Sequence, residues 1–146
     1  MKLKISLFIL LIFITGLTYN WIQDNKKGVD QIYLLPDDFE GCAIIFYDIK
    51  DAPPLKIKNN TITYEVPEDG IILTSSPMDF GWVNKNHSGS YQLYAYYVDK
   101  NGKKVRELPQ ENIQFGATGS NDEQDFYYQF FGPEGIEERG CPAVAF

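Results

Sequence analysis

Hydrophobic and polar residues alternate with a period of two along most of the chain beyond residue 28, which is the pattern of β-strands that bury one face. The clearest case is 61–66, where Ile62, Tyr64 and Val66 share one face and threonine and glutamate share the other. Residues 42–49 are almost continuously apolar, which predicts a central strand covered on both faces. Further strands are predicted at residues 32–35, 71–76, 91–98, 103–108, 112–118 and 126–131.

Turn-forming residues separate these strands at intervals of about eight to twelve residues, and no amphipathic helical pattern lies between them. Short strands at such spacing indicate a sandwich or a partly open barrel. We predict an all-β domain over residues 31–131, built as a two-layer antiparallel β-sandwich, with a linker at 23–30 and an irregular C-terminal tail at 132–146. The alternation assigns to its core Ile44, Phe46, Ile62, Tyr64, Leu73, Leu93, Phe126, Tyr128 and Phe130.

The N-terminal segment, residues 1–22, differs from the rest of the chain. After Lys2 and Lys4 it runs from residue 5 to residue 22 without a charge, and eighteen helical residues span about 27 Å, close to the hydrocarbon core of a bilayer. The two lysines favour a cytoplasmic N-terminus, which puts the domain on the extracytoplasmic side. Because no small-residue cleavage pattern is present, a retained single-pass signal-anchor is favoured, whereas a cleaved signal peptide would give a secreted protein.

The charge of the domain restricts its partners. Two of the thirteen basic residues precede the apolar run, so residues 23–146 carry eleven basic and twenty acidic residues, a net charge of −9. Such a surface repels phosphate backbones, and nucleic acid is therefore excluded as an expected partner. The same acidity keeps an exported domain soluble.

The two cysteines, Cys42 and Cys141, both lie in the part of the chain predicted to be exported. An oxidising compartment permits a disulfide between them, which would join the central strand to the tail. The alternative is one buried thiol and one free thiol, and the sequence leaves both open.

Three candidate sites for metal or catalysis are weak. His87 is the only histidine, so it is interpreted as a solvated loop residue rather than a zinc ligand or a member of a catalytic triad. The segment 99–102 resembles the start of a calcium loop, but the later ligand positions are occupied by lysine and glutamine. Asp122, Glu123 and Asp125 are interpreted as a solvated acidic loop rather than a calcium site.

Aromatic residues are the one feature of the sequence that points to a binding function. In residues 91–98, Tyr94 and Tyr96 lie on the face opposite Leu93. In residues 126–131, Tyr127 lies on the face opposite Phe126 and Tyr128. With Trp82 from the long loop 77–90, they are predicted to form a flat binding platform. The competing interpretation is cross-strand packing of the tyrosines beneath loops, with the tryptophan capping the core.

Several turn-rich segments across residues 31–131 resemble those of a known protein family. The motifs are Tyr33-Leu34-Leu35-Pro36 with Gly41, and residues 50–55, 66–70, 74–77 and 97–102. They resemble an uncharacterised family of small bacterial exported domains, secreted or lipoprotein-like and of unknown function. The resemblance implies a fold and no catalytic residues. No cysteine follows the hydrophobic segment closely, so the lipid attachment of lipoprotein-like members is not expected here.

The turn at 67–70 is similar to one in prealbumin-like sandwiches, so a prealbumin-like or Ig-like arrangement is expected.

The sequence therefore predicts a non-catalytic domain of the cell envelope that binds a protein or a glycan through Trp82, Tyr94, Tyr96 and Tyr127. No cofactor and no metal are expected. The alternative is a hydrolase that uses a carboxylate pair, with or without calcium.

Overall fold

The computed structural model describes residues 14–15, 26–121 and 124–141. Apart from Ile14 and Thr15, the predicted N-terminal membrane segment lies outside the described residues. Within the described ranges, no helix has both the length and the apolar composition needed to cross a bilayer.

Strands dominate the described chain. They are β1 (Asp30–Leu35), β2 (Gly41–Phe46), β3 (Ile57–Lys58), β4 (Thr61–Glu65), β5 (Ile71–Leu73), β6 (Leu93–Val98), β7 (Lys104–Glu107), β8 (Ile113–Ser120) and β9 (Asp125–Phe131). Each of the eight predicted strands corresponds to one of these, which confirms the all-β fold class. The short β3 was not predicted, because two residues are too few to show a period.

The strands form two mixed sheets. The five-stranded sheet has the order β3-β4-β1-β6-β7, and the four-stranded sheet has the order β5-β2-β9-β8. The prediction of purely antiparallel sheets is wrong, because β1 pairs in parallel with both β4 and β6, and β2 pairs in parallel with β5. The chain passes from one sheet to the other between β1 and β2 and again between β2 and β3, so strands that adjoin within a sheet are often not joined by a hairpin.

Both sheets contribute to one buried cluster. Tyr33 of β1 is fully buried in it, stacked on Tyr64 of β4 and tilted against Phe131 of β9. The ring centroids of these two pairs lie 4.8 and 5.0 Å apart. Because Tyr33 and Tyr64 belong to the five-stranded sheet and Phe131 to the four-stranded sheet, these ring contacts join the two sheets.

A second cluster covers the other face of the four-stranded sheet. Cys42, Ile44 and Phe46 of β2 pack there with Phe130 and with Ile136. Ile136 begins a short 3-10 helix, Ile136–Arg139, so the C-terminal tail is not irregular throughout. A disulfide joins Cys42 to Cys141, with Cα atoms 5.1 Å apart. Strand β2 is thus buried on both faces, in agreement with its continuous apolar sequence.

The predicted core contains errors of facing and of register. The five core residues predicted in β2 and β9 pack in the second cluster, and the residues that these strands direct towards the first cluster are their alternates, Ile45, Tyr127 and Phe131. Ile44, Phe46, Ile62, Tyr64 and Phe130 are buried, whereas Leu93, Phe126 and Tyr128 are half-buried. Leu73 is 40% exposed and its neighbour Ile72 is buried instead. In a three-residue edge strand the period of two has too few positions to decide which residue faces inward.

Candidate functional site

Trp82 and Tyr127 line the same cavity, which has a volume of about 260 Å³. Residues of both sheets and of the loop 77–90 form its walls, and we call it the aromatic pocket. The rings that line it are those of Tyr47, Tyr64, Phe80, Trp82, Tyr91 and Tyr127. Two of the four predicted binding residues therefore lie together. The other tyrosines of the pocket are ones that the sequence predicts to lie in strands or in the core.

The loop 77–90 is folded by local hydrogen bonds that present its aromatic residues to the pocket. The amide of Phe80 donates to the carbonyl oxygen of Pro77, and the amide of Trp82 donates to that of Asp79, each at 3.0 Å. Gly81 between them has φ +82°, and a Cβ at this position would lie 2.9 Å from Cδ1 of Ile62. Glycine is therefore required both by the backbone angle and by the close approach of the loop to β4.

His87 has a structural position at the far end of the same loop. Its Nδ1 accepts a hydrogen bond of 2.8 Å from the amide of Gly89, and its backbone pairs with that of Asn84. The loop is then fixed by a hydrogen bond of 2.8 Å from the amide of Gly28 to the carbonyl oxygen of Ser90. His87 is not among the residues that line the aromatic pocket.

The phenols of the pocket are held in their neutral form. Burial raises the pKa of Tyr64 to about 12 and, with neighbouring phenols adding to the effect, raises the pKa of Tyr47 well above its ordinary value. Burial likewise raises the pKa of Tyr127. The hydroxyls of Tyr47 and Tyr64 influence each other's pKa, as that of Tyr91 influences Tyr127, and the Tyr127 hydroxyl donates a hydrogen bond of 2.8 Å to Oε1 of Gln129. The remaining lining residues of the described chain are also uncharged, so the wall combines rings with neutral hydroxyl and amide groups.

Two buried polar atoms near the pocket lack a partner within the described residues. They are Oε1 of Gln31, whose side chain lines the pocket, and the hydroxyl oxygen of Tyr33. A buried polar atom without a hydrogen bond costs about 1–3 kcal/mol. Gln31 is thus a lining residue of the pocket, while its Oε1 atom is itself buried.

Tyr94 and Tyr96 lie elsewhere, on the outer face of the five-stranded sheet. In register they neighbour Ile32 and Leu34 of β1, and both tyrosines are half-buried. The Nζ atom of Lys104 lies 3.8 Å from the centroid of the Tyr96 ring. The structure therefore divides the four sequence-predicted residues into two surfaces. Since Tyr94 and Tyr96 alternate with the buried residues of β6, their outward direction follows from the sequence, but their separation from Trp82 depends on the topology.

The candidate calcium site is only partly covered by the structure. Asp122 and Glu123 lie outside the described residues, and Asp125 is exposed at the start of β9. In the ranges that are described, no group of three or more histidine, cysteine, aspartate or glutamate residues is arranged to hold a metal ion.

Comparison with known proteins gives the family. A family model described as "Family of unknown function (DUF6843)" matches residues 27–134. The chain belongs to the DUF6843 family. This match confirms the family resemblance of the turn segments. No curated protein gives a significant match.

Among solved structures, this DUF6843 domain is similar to the crystal structure of a protein described as "Putative Lipoprotein from Bacillus anthracis". The two are 18% identical, the TM-score is 0.56, and the similarity covers 81% of this chain and 82% of that chain. At this identity the likeness concerns the fold alone.

Proposed function

We propose that this protein is a non-catalytic binding protein of the bacterial cell envelope, and that its two sheets form a sandwich that holds one uncharged sugar residue of a glycan in the aromatic pocket. The observation that carries the proposal is the neutral wall of rings around Trp82 and Tyr127. Flat rings provide apolar contact for a sugar face, and hydroxyl and amide groups provide its polar contacts.

The size of the pocket supports a small ring rather than a protein surface. At about 260 Å³ it lies just below the roughly 300–1,000 Å³ of pockets that enclose drug-sized ligands. A protein partner would use a flatter and larger area. The amide and hydroxyl side chains among the lining residues, Gln31, Ser88 and Thr118, suit a ligand that brings hydroxyl groups, which every sugar residue does.

The chemistry of the wall also supports binding without catalysis. General acid–base catalysis at neutral pH needs a group whose pKa lies near the working pH. The buried phenols of the pocket have pKa values raised away from that range, because burial disfavours their charged form.

An envelope location is supported by three observations. Residues 5–22 form a charge-free stretch of membrane-spanning length. The disulfide between Cys42 and Cys141 suits an oxidising compartment. The solved protein of similar fold carries the description "Putative Lipoprotein from Bacillus anthracis", although this chain has no cysteine close behind its hydrophobic segment.

Tryptophan fluorescence tests the ligand class. The chain has two tryptophans, so the Trp21→Phe variant in mild detergent makes Trp82 the only emitter. We expect glucose or N-acetylglucosamine to shift the emission in a saturable manner at concentrations up to about 10 mM, above the weak limit of specific binding. Choline, a cation, and glucuronate, an anion, serve as charged probes of similar size. Saturable binding of a charged probe with no response to either sugar would contradict the ligand class, and no response to any probe would contradict the site.

A further inference from the structure

The last residues of the predicted linker are fixed to the domain. The amide of Ser90 donates to the carbonyl oxygen of Lys26 at 3.2 Å, and the amide of Gly28 donates to that of Ser90 at 2.8 Å. The two segments approach so closely that a Cβ at Gly28 would overlap the carbonyl oxygen of Ser88. From Lys26 onward the chain is therefore held against the end of the loop 77–90.

The same loop forms one wall of the aromatic pocket, through Met78, Phe80, Trp82 and Ser88. We call residues 26–30 and 77–90 together the tethered end of the domain. The turn 99–102 lies at the opposite end, because it follows β6, whose six residues lead about 20 Å away from the loop. The pocket thus lies at the end of the domain that the N-terminal segment reaches first.

Very little chain separates the tethered end from the stretch of membrane-spanning length. Residues 5–22 make up that stretch, and only residues 23–25 lie between it and Lys26. Four residues of chain reach at most about 15 Å, whatever their conformation. The headgroups form a layer about 5–8 Å thick outside the hydrocarbon core. If residues 5–22 stay in the bilayer, the tethered end is therefore held at the level of the headgroups or just above them.

The charge of the tethered end suits a position beside lipid. It has three basic and two acidic residues, a net charge of +1, whereas residues 23–146 as a whole carry −9. A membrane surface with anionic lipids attracts basic segments and repels the acidic remainder of the domain. Tryptophan is enriched at membrane–water interfaces, and Trp82 belongs to this end. Both properties orient the domain with the loop 77–90 towards the bilayer.

We propose that the tethered end faces the membrane, and that the aromatic pocket takes its sugar from the headgroup of an uncharged glycolipid in the same bilayer. This inference rests on the proposed function and names the source of the sugar. The uncharged wall of the pocket suits a headgroup without phosphate or carboxylate. A sugar held in the same membrane meets the pocket at a high effective concentration, which raises the apparent affinity of a small site without any new contact.

Quenching by labelled lipid tests the orientation. The full-length Trp21→Phe variant, with Trp82 as its only tryptophan, is placed in phosphatidylcholine vesicles in which some lipids carry a nitroxide on the headgroup. We expect Trp82 to lose most of its emission, because a nitroxide quenches only fluorophores close to it. In the matched control, Trp82→Phe and Lys100→Trp are added, which moves the single tryptophan to the exposed turn at the opposite end. The emission of this control should be retained.

Titration of the Trp21→Phe variant in unlabelled vesicles tests the source of the sugar. Free glucose is compared with vesicles that contain a diacylglycerol carrying one glucose, and phosphatidylcholine alone is the blank. We expect half-saturation by the glycolipid at a sugar concentration lower than that of free glucose by about tenfold or more. Insertion of about 24 glycine and serine residues after Asn25 adds a flexible coil of about 25–30 Å. This spacer should leave the response to free glucose unchanged and reduce both the quenching and the advantage of the glycolipid.

Three results would overturn the inference. Trp82 quenched no more than the tryptophan of the Lys100→Trp control would show that the tethered end does not face lipid, and so would a chain that does not stay with the vesicles. A response to free glucose without one to the glycolipid would overturn the membrane source and leave the proposed sugar site intact. A response to neither form of the sugar would contradict the proposed function itself, and the inference with it.

Discussion

The hydroxyl groups of Tyr33 and Tyr64 have different surroundings although their rings stack 4.8 Å apart. The two residues are direct register neighbours on the parallel strands β1 and β4. The Tyr64 hydroxyl has that of Tyr47 as a neighbour that affects its pKa, whereas the Tyr33 hydroxyl is buried and has no partner within the described residues. This pair links the hydrophobic core to the aromatic pocket, because Tyr64 also lines the pocket.

Removing the hydroxyl oxygen of Tyr33 and removing that of Tyr127 should have opposite effects on stability. Tyr33→Phe deletes an unpaired buried hydroxyl, so we expect the free energy of unfolding to rise by about 1 kcal/mol. Tyr127→Phe is the matched control, and because it removes the donor of a 2.8 Å hydrogen bond to Oε1 of Gln129 it should lower the same quantity by about 0.5–1.5 kcal/mol. Urea denaturation measures both. Equal destabilisation by the two changes would show that the Tyr33 hydroxyl has a partner in solution.

The disulfide between Cys42 and Cys141 should be a major source of stability. It closes a loop with a sequence separation of 99 residues, for which chain-entropy reasoning gives about 4–5 kcal/mol. Thermal unfolding with and without a reducing agent should show a large drop in Tm for the parent chain. The Cys42→Ala, Cys141→Ala double variant should melt at the lower temperature in both conditions. A parent Tm that does not respond to complete reduction would contradict this account.

The buried phenols predict a loss of stability at alkaline pH. Tyr64 has a pKa of about 12, above the ordinary value of 10.0, so between these two values the unfolded chain releases a proton that the folded chain retains. Stability is therefore unaffected by this group below about pH 10 and falls as the pH rises towards 12, by up to about 1.4 kcal/mol per pH unit. Burial of Tyr47 and Tyr127 acts in the same direction.

Tyrosinate absorbance during an alkaline titration measures this effect. Exposed tyrosines should ionise first, and the buried group should ionise in one cooperative step that coincides with the loss of the folded circular dichroism signal. The Tyr64→Phe variant should show a shallower dependence of stability on pH. Gradual ionisation of all ten tyrosines in a chain that stays folded would contradict the burial.

Gly81 and Gly102 form a matched pair that tests how the loop 77–90 is held. Both have positive φ, +82° and +74°, so alanine at either site should destabilise by about 1 kcal/mol through backbone strain. Only at Gly81 would the new Cβ meet a neighbour, Cδ1 of Ile62 at 2.9 Å, whereas the space at Gly102 is open. We expect Gly81→Ala alone to shift the emission of Trp82. The same emission from both variants would mean that Gly81 does not position the tryptophan.

The sequence predicted local features of the fold better than its long-range pairings. The hairpin between β6 and β7 follows from the turn at 99–102, where the amide of Gly102 donates to the carbonyl oxygen of Asp99 at 2.8 Å. The burial of strand β2 could be predicted because its apolar run is continuous and leaves no polar face for solvent. The parallel pairing of β1 with β4 left no local signal, because nothing in the period of two tells which strands meet across a crossover.

The pocket was predictable only in part for the same reason. Trp82 in the longest loop and Tyr127 on an aromatic strand could be selected from residue type, but the prediction that Tyr127 faces outward is wrong, because it packs against the cluster shared by the two sheets. Their meeting with Tyr64 and Gln31 depends on how the two sheets are placed, which residue patterns do not encode. The one signal that pointed towards the pocket was the presence of tyrosine at positions facing the core, since a buried hydroxyl needs a partner or a ligand.

Calorimetric titration of the full chain with the sugar that gives the largest Trp82 response tests the central claim most directly. The sequence-predicted residues supply the comparison, because Trp82 lies in the aromatic pocket and Tyr94 lies on the outer face of the five-stranded sheet. We predict that Trp82→Ala abolishes measurable binding and that Tyr94→Ala leaves the Kd within about twofold of the parent value, a change below about 0.5 kcal/mol. Loss of binding in Tyr94→Ala with full binding in Trp82→Ala would place the ligand on the outer sheet face and contradict the account.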